Sequence, residues 1–247
     1  MRNHATLEKQ SEGIAFKLPI SLTISGNEIS GDASDTGRGW TKRDDMTFGR
    51  SFFSALVLML LAGCAGNWEV AYDNPPGSSV TKAWRVVDVV AVAPNTLTVS
   101  NNNTFAPQAD VVWHAEPFGD RRAQVAAVLD EGLTRGTRPL RGERPVTMAA
   151  RILTFHGVTP SAVARAPAAV HNIRFVLSVF DAETGEPLIE NQRISADLEA
   201  NVGAAAIAAA INRQSQRERV IEHLASVTRG WLGFGPDQRR EFYSVGR

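Results

Sequence analysis

The sequence predicts an α+β fold, a two-layer sandwich in which one sheet of about four strands is covered by two helices. Two observations lead to this prediction. Apolar residues recur with helical spacing in two segments and alternate with a period of two in several others, which gives the element order β-α-β-β-β-α. A short uncharged run also precedes these elements, so we expect the fold to be preceded by a secretory signal.

The signal is predicted from the uncharged run at residues 52–63, FFSALVLMLLAG, which follows Arg50. A transmembrane helix needs roughly 20 apolar residues, so this run better suits the core of a secretory signal. Its end, Leu61-Ala62-Gly63-Cys64, resembles the lipobox of bacterial lipoproteins. That resemblance implies cleavage between Gly63 and Cys64 and lipidation of the Cys64 thiol. The alternative is a short buried strand with an incidental cysteine.

The signal divides the chain into segments. MTFGRSFFSALVLMLLAGC, from Met46, is a complete signal of ordinary length, whereas Asp44 and Asp45 do not fit a signal's positive region. We therefore predict five segments: a disordered leader or misassigned start at 1–45, a lipoprotein signal at 46–63, a flexible tether at 64–82, an α+β domain at 83–235 and a polar tail at 236–247.

Composition excludes several functions. The chain has 26 Lys and Arg against 26 Asp and Glu, and its basic residues form no stripe, so we expect no nucleic-acid partner. Cys64 is the only cysteine, and its acylation would leave no thiol for a disulfide, a metal site or a nucleophile. We expect no cofactor and no bound metal.

The first two elements of the domain are a strand and a helix. Residues 86–92 are apolar on both faces of an extended chain, which predicts a buried strand. Asp120 is a suitable N-cap for the helix. A stripe of apolar residues at helical spacing follows it, namely Val125, Val128, Leu129 and Leu133.

The remaining elements are three strands and a helix. Residues 144–158 alternate as a strand whose phase changes near Ile152, which predicts a bulge. Residues 170–198 form a hairpin with turn residues at Asp181 and Gly185. Residues 203–233 then form one long helix, alanine-rich at first and closed by Gly233.

Four histidines follow the signal, and none has the spacing of a metal motif. His156 ends one strand and His171 begins the next. We interpret them as strand-end histidines near solvent, with a two-ligand corner as the alternative. His223 lies between polar helix positions and is expected to be exposed. The aromatic residue before His114, Trp113, is expected to close one end of the core.

Four stretches resemble a family of uncharacterised lipoproteins from Gram-negative bacteria, described as a domain of unknown function. They are VVWHAEPFGDRRAQVAAVLDEGLTRG, RPVTMAARILTFHGVT, VHNIRFVLSVFDAETGEPL and ADLEANVGAAAIAAA with ERVIEHLA. This resemblance implies an envelope lipoprotein and supplies no catalytic or binding residue. The element order is also similar to that of auxiliary lipoproteins of envelope lipid transporters, a likeness of architecture alone.

Three functional hypotheses follow. The first is a non-enzymatic docking or auxiliary protein, held on the membrane by its lipid and bound to an envelope partner. The second is a module that binds a lipid or small apolar ligand, because the small side chains of Ala204 to Ala210 can leave room beside a helix. Tight packing of the helix on the sheet is the alternative, and favoured, interpretation of that stretch. The third, an enzyme, would need His114, His156 and Asp120 to converge. Ala65, after the lipidated residue, predicts the outer membrane, facing the periplasm.

Overall fold

A computed structural model of the protein describes residues 66–244, so the leader, the signal and Cys64 lie outside the described part. That part contains nine strands: β1 (Gly66–Tyr72), β2 (Trp84–Val92), β3 (Val99–Ser100), β4 (Val111–Val112), β5 (Arg144–His156), β6 (Val170–Asp181), β7 (Pro187–Ala196), β8 (Leu198–Glu199) and β9 (Arg240–Ser244). It also contains five helices: α1 (Ser78–Thr81), α2 (Arg121–Thr137), α3 (Pro160–Arg165), α4 (Gly203–Ile211) and α5 (Gln216–Leu232).

The strands form one mixed sheet in the order β3-β4-β5-β6-β7-β1-β9, with β2 paired to β5 and β8 to β6. β2 and β5 are parallel, because the crossover through α2 returns the chain in the same direction. β5, β6 and β7 are antiparallel neighbours. The hairpin prediction is confirmed by β6 and β7, and the bulge prediction by a register shift between Ile152 and Thr154.

The predicted fold class is wrong in size and layout. A sheet of about four strands covered by two helices was expected, whereas the described residues contain nine strands and five helices. The additional strands are short or lie near the ends of the domain. Their pairing depends on residues far away in sequence, which local periodicity does not reveal.

The segment predicted as a flexible tether contributes a strand to the interior of the sheet. β1 pairs antiparallel with β7 on one side and with β9 on the other. Its alternate residues Trp68, Val70 and Tyr72 are buried, while the turn residues that suggested a tether begin only after Tyr72. β9 likewise occupies part of the predicted polar tail.

The two long helices pack closely against each other. α2 begins with the predicted N-cap, since the Asp120 carboxylate accepts hydrogen bonds from the backbone of Arg122 and Ala123. Gly132 and Gly136 allow the close approach to α5. A Cβ atom added at Gly136 would lie 2.5 Å from the Cβ of Thr228.

The long C-terminal helix predicted for residues 203–233 is divided in two. Arg213 has a positive φ of 56°, a conformation that interrupts a helix. Ser215 then caps α5 by accepting a hydrogen bond from the Glu218 amide. Gly233 ends α5 in the left-handed conformation, as predicted.

Within residues 66–244, the outer face of the sheet is more exposed than the face that carries the long helices. Along β5, Val146, Met148 and Ala150 are buried, while the alternate residues point away from the helices. On the same outer face of β2, Val90 is 45% and Val92 46% exposed. The prediction that β2 is buried on both faces is therefore wrong, because the helices cover one face only.

No helix within residues 66–244 combines the length and the apolar character needed to cross a membrane.

Candidate functional site

A cavity of about 530 Å³ lies between α3, α4 and the beginning of α5. His171, near the start of β6, and His114, in the loop before α2, also line it. Its volume falls within the range of roughly 300–1,000 Å³ typical of small-molecule sites.

The apolar part of the cavity wall comes mainly from α4. Ala206, Ala209 and Ala210 line it, and their spacing of three and four residues places them on one side of the helix. Val158 and Val163 extend the apolar surface on the side of α3. Because the helix contributes only methyl groups here, the space beside it stays open.

His171 is the most deeply buried polar residue of the cavity wall, with 1% of its surface exposed. Burial lowers the pKa of His171 to about 3, and the charge of Arg219 acts in the same direction, followed by His223 and His156. The imidazole is therefore neutral. Its Nδ1 accepts a hydrogen bond from the Val158 amide at 3.4 Å, which places the proton on Nε2.

That Nε2–H group is a buried donor without a partner within residues 66–244. Buried polar groups in folded proteins are nearly always hydrogen-bonded. A second unpartnered nitrogen within the same described range is His114 Nε2. Burial lowers the pKa of His114, as does Arg121, against the opposing effect of the Asn102 backbone. Both histidines are thus suited to hydrogen-bonding a ligand as neutral rings.

The charged lining residues, as far as the structure describes the chain, are Arg213 and Arg219. Arg219 is partly buried, which lowers its pKa, and its Nη2 donates to the Glu199 carbonyl oxygen at 3.1 Å. α5 begins at this wall with Ser215 and Gln216, so the positive end of its dipole faces the same space. The polar side of the cavity is therefore electropositive.

The residues on which the enzyme hypothesis depended have different partners in the structure. Asp120 caps α2, and the Nε2 of His156 lies 2.9 Å from the Pro107 carbonyl oxygen. Only His114 of the three lines this cavity. Among residues 66–244, no group of three or more His, Cys, Asp or Glu side chains could hold a metal ion.

The sequence interpretation of the other histidines is corrected. His156 and His171 were expected near solvent, but they are 6% and 1% exposed. His223 was expected to be exposed, yet burial, aided by Arg240, lowers its pKa to about 4. These side chains lie under neighbouring elements whose position the helix and strand periodicity does not give. Trp113 is buried as predicted and meets Phe155 edge to face.

Sequence reasoning did not find Arg213 or Arg219 as site residues. The sequence feature that pointed to this site was the alanine-rich stretch, which contains Ala206, Ala209 and Ala210 of the cavity wall. The two arginines were not predicted as site residues, because a single long helix across residues 203–233 would not bring them to a cavity. The break at residues 212–215 is what brings them to the cavity.

Fold and site together define, within residues 66–244, a domain with one mixed sheet of nine strands, five helices and a cavity that is apolar on one side and electropositive on the other. The model of a family of unknown function, DUF6778, matches residues 84–247, which is more than half of the chain. The chain therefore belongs to the DUF6778 family. The search of curated proteins found no match.

Two solved structures are distantly similar. A candidate lipoprotein from Caulobacter crescentus is 19% identical, with 40% of this chain and 74% of that one covered at a TM-score of 0.28. The PelC dodecamer from Paraburkholderia phytofirmans is 11% identical, with 65% and 97% covered at a TM-score of 0.29. Both TM-scores are below 0.5, and neither similarity extends to function.

Proposed function

We propose that this protein is a lipid-anchored envelope protein whose folded domain binds an amphiphile with one acyl chain and an anionic head group. The observation that carries the proposal is the cavity beside α4. Its wall is apolar along Ala206, Ala209 and Ala210, and its charged residues, within the described chain, are both arginines. A ligand with an apolar body and a negative head matches this division.

The head group would be held by Arg213 and Arg219. Guanidinium groups match carboxylate and phosphate oxygens in geometry as well as in charge. The first turn of α5 adds backbone N–H groups and the positive end of the helix dipole. The unpaired Nε2–H of His171 offers a further donor to a polar atom of the ligand.

The anchor is part of the proposal. Leu61-Ala62-Gly63-Cys64 supports cleavage after Gly63 and acylation of Cys64, and Ala65 supports a location in the outer membrane, facing the periplasm. Binding alone, without catalysis, is proposed for the domain, because Asp120 caps a helix and His156 contacts the Pro107 carbonyl.

Photocrosslinking tests the binding site. Membranes from a Gram-negative host that produces the full chain are incubated with palmitate bearing a diazirine and an alkyne, then irradiated. We expect crosslinks in α4 and the beginning of α5. Ala209→Trp fills the cavity and should abolish them, whereas Ala208→Trp, on the exposed side of the same helix, should not.

Competition tests the anionic head. Excess unlabelled palmitate should suppress the crosslinks, whereas hexadecanol, which has the same chain and a neutral head, should not. Equal crosslinking of the Ala209→Trp and Ala208→Trp variants, or equal competition by both compounds, would overturn the proposal.

Docking to an envelope protein is the second candidate function. It is favoured by a row across the outer face of the sheet in which Val92, Arg151, Val176 and Arg193 are paired in register, with Val92 exposed and Val176 buried between the two arginines. Within residues 66–244, neither Arg151 nor Arg193 forms an ion pair. Such a row of alternating apolar and cationic residues suits a partner whose surface is apolar and acidic.

A photoreactive amino acid at position 92 tests this docking role in living cells. We expect a crosslinked protein band that weakens when Arg151 and Arg193 are both replaced by Glu. Phe118, which is exposed and lies in the loop before α2, is the control position. A wild-type protein without a crosslink at position 92 would dismiss the docking role.

A further inference from the structure

α4 is an apolar helix that stays on the surface. Its sequence, GAAAIAAAI, contains no polar side chain, yet none of its residues is buried in the described structure. Ile207 is 65% and Ile211 76% exposed. Helices that are hydrophobic all round are normally enclosed by protein or membrane. The alanines of one side line the cavity, so the exposed isoleucines form a second, outward surface.

This outward surface lies at the end of the molecule where the chain joins the fold. Gly66, the first residue of β1, pairs with Ser244 of β9. Ser244 in turn lines a surface groove together with Asn201 and Val202, the residues that lead directly into α4. Because Cys64 precedes Gly66 by two residues, a lipid on Cys64 would hold this same end against a bilayer.

The charges around α4 also suit a lipid surface. Arg213 follows the helix and is exposed, and Arg219 lines both the cavity and the groove. Anionic lipids attract basic residues that lie next to a membrane. α4 therefore combines apolar residues that can enter the interface with cations beside them.

We propose that the outer side of α4, Ile207 and Ile211, inserts into the surface of a bilayer that contains anionic lipids. This inference rests on the proposed function and adds a route to it: the bound amphiphile passes directly between the bilayer and the cavity. A protein occupant fits less well, because a stable protein interface buries at least about 1,000 Å² and a nine-residue helix offers far less.

Site-specific fluorescence tests the insertion. The full chain with Ile207→Cys is reconstituted into vesicles of neutral and anionic phospholipids and labelled with the dye NBD. An acylated Cys64 leaves the introduced cysteine as the one thiol of the sequence, and a wild-type sample that takes up no dye verifies this. Val80→Cys is the matched control, since Val80 is 50% exposed. Val80 lies near the C-terminal end of α5, because the hydroxyl of the next residue, Thr81, donates a hydrogen bond to the Leu232 carbonyl oxygen. The cavity is at the other end of this 17-residue helix, roughly 25 Å away.

We expect the dye at position 207 to shift to the blue and to be quenched by doxyl-labelled lipids several-fold more than the dye at position 80. Equal quenching at the two positions would overturn the inference. Protection of position 207 by an added envelope protein, without quenching by lipid, would overturn it in favour of protein docking.

Palmitate crosslinking in the same vesicles separates this inference from the proposed function. Crosslinks that persist without quenching at position 207 leave the cavity proposal standing and refute insertion. Quenching without crosslinks supports insertion and refutes amphiphile binding. Replacing both isoleucines by Ser should slow the loading of probe from vesicles several-fold, yet leave binding of water-soluble decanoate unchanged.

Discussion

At the scale of single residues, His171 has a buried hydrogen-bond donor that is unfavourable for stability. It is buried, neutral, and bonded through Nδ1, while its Nε2 donor has no partner in the described part of the chain. An unsatisfied buried donor costs about 1–3 kcal/mol. A ligand that accepts this hydrogen bond would remove that cost, and so stabilise the folded domain more than its contacts alone would.

His171 also makes stability depend on pH. Its pKa is about 3 when folded and near 6.5 when unfolded, so the unfolded chain binds more protons between these values. The contribution of the neutral ring is complete above pH 6.5 and is lost as the pH falls towards about 3. We expect the free energy of unfolding to decrease on acidification through this window.

Denaturation by urea at a series of pH values measures this dependence. His171→Gln removes the titration and should flatten the curve. His223, whose pKa falls to about 4, adds a further slope of the same sign that persists in the variant. Identical pH curves for the wild type and His171→Gln would contradict the assignment.

At the scale of elements, the contact between α2 and α5 depends on glycine. We expect Gly136→Ala to lower the free energy of unfolding by about 1–3 kcal/mol, because the new methyl group would meet Thr228 in an already packed interface. Thermal unfolding followed by the fluorescence of the buried tryptophans measures the change.

Gly119→Ala is the control for this substitution. A Cβ atom there would meet the Gln124 side chain at 3.2 Å, and that side chain can move. Its effect should stay within the roughly 0.5 kcal/mol of an ordinary surface substitution. A Gly136→Ala variant as stable as the wild type would show that the helices can separate at no cost.

Elements whose signals are local were predictable from sequence. The Asp120 cap, the stripe of α2, the bulge after Ile152 and the hairpin of β6 and β7 each depend on residues close together in the chain. β1, β9 and the openness of β2 depend on distant partners. The cavity depended on a break in a helix, and neither the alanine run nor the helical period predicted that Arg213 would adopt a positive φ.

At the scale of the whole molecule, the proposed anchor would determine where the domain works. The described fold starts at Gly66, two residues after Cys64, so an acylated cysteine would leave almost no slack between membrane and sheet. A flexible tether at residues 64–82 would have let the domain reach partners far from the membrane. With the proposed anchor, β1 would instead favour ligands and partners that are themselves at the membrane surface.

We predict that Cys64→Ser abolishes acylation and moves most of the protein out of the membrane fraction, because the proposed acyl chains contribute roughly 0.8 kcal/mol for each buried CH₂ group. Labelling of cells with an alkyne fatty acid, followed by fractionation, measures both effects. The wild type should carry label in the outer-membrane fraction, and the variant should carry none. An unlabelled wild-type protein would refute acylation.

The position of β1 between β7 and β9 affects when the sheet can form during synthesis of the chain. The ribosome makes β1 first among the nine strands, but its partners arrive only with Ile194 to Ala196 and Arg240 to Ser244. Contacts so distant in sequence form late. The sheet therefore cannot be completed before residues 240–244 have been synthesised. For the export that we propose, this late completion would leave the chain unfolded for longer.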